Sequence, residues 1–258
     1  YEAALEGLGM LLDASKNAPA LTAVVGLPLR LGSRMFNCAA VVSGGVLRGI
    51  VPKTYIPNYN EFYEKRWFSS GAELDRDTVT LEIPGREPVT VGIYPQGLFT
   101  IGEGTVFGVE ICEDLWTPVP PSSLLALAGA EVLVNLSASN ETIGKAAYRR
   151  NLVKHQSAAL TCVYAYASAG AGESSQDLIF SGQCLIAQNG QLLGESQSPI
   201  VTEGLLIRDC DLGAIRADRR KNKSFGDNAA LLVPEPLPVV PVSQGKLRSD
   251  GTLLKIQK

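Results

Sequence analysis

Short apolar runs alternate with amphipathic stretches along this chain, a pattern that predicts a mixed α/β fold. Residues 1–17 place Leu5, Leu8 and Leu12 on one face at helical spacing. Several β-branched runs follow, and two of them flank Ser-Gly-Gly at residues 43–45, which predicts a β-hairpin with a glycine turn. The strands predicted in this half are residues 21–27, 35–42, 46–51, 79–83 and 89–93.

The second half repeats a strand–helix order. Residues 106–111, 121–130 and 132–136 predict a βαβ unit of about 30 residues. The elements predicted after it are a helix at 144–160, a strand at 162–167, and a hairpin formed by 179–187 and 191–195 around Asn189-Gly190. The two hairpins are similar in size and lie in different halves, which predicts an internal pseudo-repeat of hairpin plus βα units.

The division of the chain follows from this pattern. Residues 1–233 predict one α/β domain, in which residues 52–71 form an irregular, aromatic-rich loop. Residues 234–258 are rich in proline and predict a linker, or an arm over a neighbouring domain or subunit.

The composition of the 258 residues narrows the possible functions. Charged residues make up 19% and the net charge is −3, so the chain lacks the basic character of a nucleic-acid-binding protein. No apolar run approaches the ~18 residues of a membrane span. The single histidine, His155, rules out a His-rich metal site, and the five cysteines are odd in number and form no C-x-x-C pair. We therefore expect no metal, a reducing compartment and a cytoplasmic location.

Cys112 is the strongest candidate for a reactive group. It ends the predicted strand 106–111, and Glu113-Asp114-Leu115-Trp116 and a proline-rich break follow it before the next helix. Ligand sites in open α/β sheets lie at the carboxyl ends of strands, and a side chain at such a bend stands clear of the sheet. A lone cysteine beside a strand is more often a core residue. The other cysteines take that interpretation, namely Cys38, Cys162, Cys184 and Cys210.

A cysteine nucleophile needs a base or a cation beside it, because an ordinary thiol is only a few per cent ionised at neutral pH. His155 lies within a predicted helix, where a solvated or partly buried histidine is expected. Lys53 directly follows a predicted strand, so its ammonium can be fixed at the strand end. A lysine in that position is otherwise a surface residue, and both interpretations of Lys53 stay open at this point.

Three segments carry a resemblance to a known family. They are VPKTYIPNYNEFYEKRWFSSG from residue 51, VEICEDLWTPVPPS from residue 109 and VNLSASNETIGKAAYRR from residue 134. Together they resemble the nitrilase, or carbon–nitrogen hydrolase, superfamily, and more narrowly the glutaminase domain of glutamine-dependent NAD synthetases. The resemblance covers roughly residues 20–230. It implies an α/β fold of the nitrilase type, an α-β-β-α sandwich with two pseudo-symmetric halves.

The resemblance implies a Glu–Lys–Cys triad supported by a second glutamate. Cys112 matches the nucleophile, and Lys53 matches the lysine that stabilises the oxyanion. Glu61 matches the supporting glutamate that orients the lysine and the substrate. The nucleophile would attack the side-chain amide of glutamine, release ammonia and leave a thioester that water hydrolyses to glutamate.

Substrate-binding residues are implied in the same way. Glu113 suits the ammonium group of glutamine, and Lys145 or Ser139 suits its carboxylate. Two alternatives stay open, since Glu113 could only brace the bend after Cys112 and Lys145 could be a solvated residue at a helix start. The residues that fall where the family holds glutamine are Tyr59, Glu113, Trp116, Ser139 and Lys145.

The general-base glutamate of the triad lies, in the family, at an F-P-E-type strand end ahead of the first long helix. This chain begins inside or after that helix, and Glu2 and Glu6 lie on the helix itself, so they cannot replace the base by position. Either the glutamate precedes Tyr1, which a start without methionine favours, or the domain is inactive.

Partners and cofactors are also implied by the resemblance. An ATP-dependent synthetase domain would follow the proline-rich segment and use the ammonia, and family members are commonly homo-oligomers. Neither G-x-G-x-x-G nor G-x-x-x-x-G-K-[ST] occurs, so no cofactor is expected in this domain, and ATP and Mg²⁺ are expected only in the synthetase domain. Two other hypotheses stay open: a free-standing nitrilase-family amidase for another small amide, and a catalytically inactive assembly domain.

Overall fold

Four layers, in the order helix, sheet, sheet and helix, make up the part of the chain that the computed structural model describes. These residues are 1–102, 104–170, 172–173, 178–196 and 204–243. The helices are α1 (Glu2–Lys16), α2 (Pro121–Leu127), α3 (Lys145–Ala159), α4 (Leu212–Lys221) and α5 (Lys223–Leu232). The strands are β1 (Thr22–Leu31), β2 (Arg34–Ser43), β3 (Val46–Pro52), β4 (Thr78–Leu81), β5 (Val89–Gly92), β6 (Leu98–Ile101), β7 (Thr105–Ile111), β8 (Val132–Ser137), β9 (Val163–Ser168), β10 (Leu185–Gln188), β11 (Gln191–Glu195) and β12 (Val239–Ser243).

The first two layers are α1 and an antiparallel sheet of β1, β2 and β3. Leu5, Leu8 and Leu12 of α1 are buried in one apolar cluster with residues of this sheet, such as Leu29 and Phe36. The 3.6-residue period of the helix puts these leucines on one face, and burial of that face stabilises the pairing of helix and sheet. The β4–β5 hairpin contributes to the same cluster.

The other two layers are a seven-stranded sheet and the helices on its outer face. The strand order is β11-β10-β9-β8-β7-β6-β12, and β7, β8 and β9 are parallel neighbours. Parallel neighbours need a crossover connection, which α2 supplies between β7 and β8 and α3 supplies between β8 and β9. Leu125 of α2, Val153 of α3 and Tyr164 of β9 are fully buried in the cluster that joins these layers.

The two sheets pack face to face through small and aromatic side chains. Phe99 and Phe107 of the seven-stranded sheet stack with their ring centroids 5.2 Å apart. They lie in one buried cluster with Ala39, Val41 and Val51 of the three-stranded sheet. The α-β-β-α sandwich implied by the sequence is therefore confirmed, and each of the two predicted hairpins lies in its own sheet.

Several elements differ from the sequence pattern, which does not predict β6, α4 or α5. Residues 179–184 lie outside β10, although the pattern assigns them to that strand. The reason is visible at Gln183, which is fully buried and hydrogen-bonds to the side chains of Arg149 and Glu195. Side-chain contacts and single backbone hydrogen bonds, and not a continuous strand ladder, therefore hold this segment.

The strand β12 corrects part of the linker interpretation. Val239–Ser243 pairs in parallel with β6, and Val242 is 2% exposed in the cluster between the two sheets. These residues belong to the sheet because their apolar side chains complete that cluster. The boundary at residue 233 stays a prediction, and residues 244–258 lie outside the described residues. In the described part of the chain, no helix has the length and apolar character needed to cross a membrane.

Candidate active site

Cys112 lies at the carboxyl end of β7, where the strand turns into the short 3₁₀ helix Cys112–Trp116. Its φ is 49°, in the left-handed region that residues other than glycine rarely adopt. Such a conformation costs about 1–3 kcal/mol and persists only where the surrounding contacts hold it. One of these contacts is the N–H of Cys112, which donates to Oδ1 of Asn135 over 3.2 Å. The residue is 8% exposed and lies at the edge of the apolar cluster between the two sheets.

Lys53 directly follows β3, and its side chain is 1% exposed. A buried ammonium costs several kcal/mol unless it is paired. Its partner is Glu64, whose Oε2 lies 2.7 Å from Nζ of Lys53. The main chain of Lys53 is fixed as well, since its N–H donates to the carbonyl of Asn37 and its carbonyl accepts from Gly71, each over 2.8 Å. The lysine is therefore buried and held in place, so its ammonium is fixed at the end of β3.

The carboxylate of Asp114 joins the two segments that carry Cys112 and Lys53. It accepts hydrogen bonds from the N–H of Ile111 over 3.0 Å and the N–H of Tyr55 over 2.8 Å. Burial raises the pKa of Asp114 to about 6, while these hydrogen bonds and the charge of Lys53 act in the opposite direction. Because one side chain binds both segments, the bend at Cys112 and the loop after Lys53 lie against each other.

Tyr59 and Glu113 form a pair beside the nucleophile. The hydroxyl of Tyr59 lies 2.9 Å and 3.0 Å from the two carboxylate oxygens of Glu113, to which it donates. Burial raises the pKa of Glu113, and the Tyr59 hydrogen bond and the charge of Lys53 oppose that change. Burial, followed by the hydrogen bond to Glu113, raises the pKa of Tyr59. The pair presents an acceptor group of fixed orientation next to Cys112.

Glu61 lies in a hydrogen-bonded chain with Asn140 and Lys145. Oε1 of Glu61 accepts from Nδ2 of Asn140 over 2.5 Å, and Oδ1 of Asn140 accepts from the Lys145 ammonium. The carboxylate that contacts the Lys53 ammonium is that of Glu64, whereas Glu61 contacts the Lys145 chain. The role of Glu61 in orienting Lys53 stays a prediction.

Lys145 begins α3, and its ammonium lies over two aromatic rings. The distances from Nζ to the ring centroids are 5.6 Å for Phe62 and 5.5 Å for Trp116. Trp116 in turn stacks on Tyr148, with 5.5 Å between the centroids. Burial, and then the charge of Arg149, lowers the pKa of Lys145, while the charge of Glu61 opposes this. Lys145 is thus a partly buried cation that faces the same site.

Ser139 is held by a fully buried arginine. The Oγ of Ser139 accepts from Nε and Nη2 of Arg149 over 3.3 Å and 3.2 Å. Arg149 also donates to the carbonyl of Asn140 over 3.0 Å and forms an ion pair of 3.2 Å with Glu141. Since the hydroxyl accepts from the guanidinium, its own proton remains available as a donor.

The predicted site residues lie on the loops that follow β3, β7 and β8, and contacts between those loops bring them together. Asp114 links the first two loops, and Lys145 reaches Trp116 from the third. The predicted residues that make contacts between these segments are Tyr59, Glu61, Glu113, Trp116 and Lys145, whereas Lys53, Cys112 and Ser139 bond to Glu64 in the same loop, Asn135 on β8 and Arg149 on α3.

Comparison with known protein families identifies one matching family model, described as carbon-nitrogen hydrolase, which covers residues 5–220. The chain belongs to the carbon–nitrogen hydrolase family. Among curated relatives, the glutamine-dependent NAD(+) synthetase of Mycobacterium tuberculosis is 43% identical over 207 residues. That match covers 80% of this chain and 30% of the relative. The carbon–nitrogen hydrolase domain thus spans about a third of the length of the synthetases it matches.

Solved structures agree with this family. The glutamine-dependent NAD(+) synthetase from Cytophaga hutchinsonii superposes with a TM-score of 0.59 at 27% identity, over 74% of this chain and 30% of that one. The carbon–nitrogen hydrolase from Helicobacter pylori gives a TM-score of 0.63 at 20% identity, over 88% of this chain and 78% of that one. At that identity the second likeness concerns the fold.

Several residues of the candidate site were not singled out from the sequence. Asp114, Asn140 and Arg149 each bind two segments of the site, and Glu64 pairs with Lys53. Asn135 had a signal that could have revealed it, since it is a polar residue inside the apolar run VLVNL. Among the described residues of the domain, no group of three or more His, Cys, Asp or Glu side chains is arranged to hold a metal ion.

Proposed function

We propose that this domain hydrolyses glutamine to glutamate and ammonia through a thioester on Cys112. The observation that carries the proposal is the Asp114 junction, which joins the bend of Cys112 to the loop that follows the buried ammonium of Lys53. A thiol at a strand end and a fixed cation close to it are the groups that amide cleavage by a cysteine requires. Identity of 43% to a glutamine-dependent synthetase supports glutamine as the substrate.

The reaction proceeds in two steps, and a tetrahedral oxyanion forms at the same carbon in each. The Cys112 sulfur adds to the amide carbon, and the carbonyl oxygen becomes an oxyanion that faces the ammonium of Lys53. The proton that the thiol gives up on attack is passed to the amine, so that collapse breaks the C–N bond and releases ammonia. Water then adds to the thioester, and cleavage of the C–S bond yields glutamate and the free thiol. A preorganised donor at such an oxyanion is worth about 3–4 kcal/mol.

Recognition of glutamine requires an acceptor for its ammonium and donors for its carboxylate. Glu113, oriented by Tyr59, supplies the acceptor. Lys145 supplies a cation and Ser139 a hydroxyl donor, which Arg149 orients from behind. Trp116 forms an apolar wall next to Lys145. Glu61, the supporting glutamate, acts on this group through Asn140.

We further propose that the ammonia is passed to an ATP-dependent synthetase domain of the same polypeptide, which amidates deamido-NAD. The names of the relatives, and their greater length, support this partner. ATP and Mg²⁺ would bind there and not in this domain. We expect residues 1–233 to form the glutaminase unit, with β12 completing the edge of its sheet, and the protein to be a cytoplasmic homo-oligomer. Activity tests should use the natural full-length polypeptide, because the match to this chain covers only 30% of the synthetase it resembles.

The Cys112→Ala variant of the full-length polypeptide tests the proposal. We expect it to lose ammonia release from glutamine and NAD formation with glutamine, while NAD formation with ammonium chloride persists. Cys184→Ala, which removes a thiol outside the site, should retain both activities and serves as the control. Unchanged glutamine hydrolysis in Cys112→Ala would refute the assignment. Hydrolysis of another small amide in place of glutamine by the unmodified protein would favour the amidase alternative.

A further inference from the structure

Three buried polar side chains form a hydrogen-bonded chain that ends at the nucleophile. Glu110 lies on β7, Asn135 on β8 and Tyr164 on β9, and none of them is more than 1% exposed. The hydroxyl of Tyr164 donates to Oε1 of Glu110, and Nδ2 of Asn135 donates to the Tyr164 oxygen over 3.2 Å. The last bond of the chain is the 3.2 Å contact between Oδ1 of Asn135 and the N–H of Cys112.

The chain has a direction that the N–H of Cys112 sets. A backbone N–H only donates, so the atom of Asn135 that faces Cys112 must be its amide oxygen, which also accepts from the hydroxyl of Ser137 over 2.7 Å. The amide nitrogen of Asn135 consequently faces Tyr164 and donates to its oxygen. The proton of Tyr164 is then directed to Oε1 of Glu110.

We propose that Glu110, Tyr164 and Asn135 are positioning residues that hold the main chain of Cys112 in its left-handed conformation for the attack on the amide. This inference rests on the proposed glutaminase function. The N–H of Cys112 is bonded to Asn135, so it is not one of the donors to the oxyanion. The three residues therefore act on the reaction through the placement of the sulfur, without touching the substrate.

The location of the chain argues for this role over a purely structural one. Buried polar networks are often no more stabilising than apolar packing of the same volume, so stability does not require them. Here the polar residues interrupt two strands that are otherwise apolar, VFGVEI and VLVNL. The chain ends at Cys112, one of the few non-glycine residues with a positive φ. A polar chain at that place supplies a fixed acceptor, which apolar packing cannot do.

The Tyr164→Phe variant of the full-length polypeptide is the first test. It keeps the ring and removes the acceptor of the Asn135 amide nitrogen, so that Asn135 keeps only the bonds of its oxygen to Ser137 and Cys112. We expect kcat for ammonia release from glutamine to fall about tenfold, or about 1.4 kcal/mol, with KM within about twofold of the unmodified value. NAD formation with ammonium chloride should not change. The control is Thr105→Val on β7, since the buried hydroxyl of Thr105 has no hydrogen-bond partner among the described residues. A kcat in Tyr164→Phe equal to that of Thr105→Val would overturn the inference.

A double-substitution cycle tests whether the residues act in series. Asn135→Leu removes the acceptor for Cys112 directly, and we expect it to lower kcat by at least as much as Tyr164→Phe does. Because Tyr164 acts through Asn135, the double variant should be within about twofold of Asn135→Leu alone. Losses that multiply would show that Tyr164 acts by another route.

Hydrogen exchange at the Cys112 amide gives a measurement that does not depend on activity. We expect exchange to be at least about tenfold faster in Asn135→Leu and in Tyr164→Phe than in Thr105→Val. If the unmodified protein does not hydrolyse glutamine, the proposed function fails, and this measurement still decides whether the chain holds Cys112. Unchanged exchange overturns the inference, and so does faster exchange accompanied by an unchanged kcat for glutamine.

Discussion

Glu110 makes the stability of this domain depend on pH in a way that can be measured. Its carboxyl is fully buried, and burial raises its pKa from 4.5 to about 7, against the opposing hydrogen bonds from Tyr164 and Ser122. The charge of Asp114 adds to the increase. The Glu110→Gln variant keeps the size and shape of the side chain but cannot ionise. Comparison of this variant with the unmodified domain therefore isolates the free energy of ionising Glu110.

The sign follows from proton binding. Between the unfolded pKa near 4.5 and the folded pKa of about 7, the folded state binds more protons than the unfolded state. The contribution of the protonated Glu110 to stability is therefore fully present below the unfolded pKa, and it is lost as the pH rises through the folded pKa. At about 1.4 kcal/mol for each pH unit, the loss amounts to about 3 kcal/mol. Glu110→Gln lacks this ionisation. We therefore expect its stability to decrease over the same pH interval by about 3 kcal/mol less than that of the unmodified domain.

The assay is hydrogen exchange followed by mass spectrometry on peptides from β7, β8 and β9 of the full-length polypeptide. Exchange rates, corrected for the pH dependence of intrinsic exchange, give free energies of opening between pH 5 and pH 8. The control is Asp13→Asn, because Lys16 and Arg86 lower the pKa of Asp13 to about 2, below this pH range. A difference between Glu110→Gln and the unmodified domain that is the same at both pH limits would refute the reasoning.

Three further substitutions follow from the structure. Lys53→Met removes the buried ammonium, and ammonia release from glutamine should fall about 10²–10³-fold while NAD formation with ammonium chloride persists; an equal loss of both would contradict its role at the oxyanion. Arg149→Met leaves the buried partners of the guanidinium unpaired, and calorimetry should show a destabilisation of about 3–5 kcal/mol, whereas a loss below about 1 kcal/mol would contradict this. Gly190→Ala places a Cβ 3.1 Å from that of Ala158 at a φ of 82°. We expect it to lower the free energy of urea unfolding by about 1–3 kcal/mol. The control is Gly7→Ala, whose added Cβ meets nothing within 4 Å and which should not destabilise the domain.

Local patterns were sufficient to predict most of the fold. The leucines of α1 and the Asn189-Gly190 turn of the second hairpin carry their own signals, and both elements are confirmed. The strand β6 has only four residues and gains its order from pairing with β7 and β12 on either side. Such tertiary support leaves no periodic signal in the chain. The same reason explains why β12 reads as a proline-rich linker.

The candidate site was predicted where its residues lie in contiguous motifs. Cys112, Glu113 and Trp116 are neighbours in one such motif, and Lys53 lies in another. The contacts that join the motifs were beyond prediction, because they connect residues far apart in sequence. Glu61 and Asn140, for example, are separated by 79 positions and meet only after folding. Which glutamate reaches Lys53 is likewise a matter of loop geometry that spacing does not specify.

The strand β12 has a practical consequence for preparing the domain in isolation. Its backbone covers β6, and Val242 covers part of the contact between the two sheets. A polypeptide that is cut at residue 233 would expose the edge of β6, with its unpaired N–H and carbonyl groups beside apolar side chains. Exposed edges of this kind pair with other chains and lead to aggregation. Recombinant versions intended to remain monodisperse should therefore extend at least through Ser243.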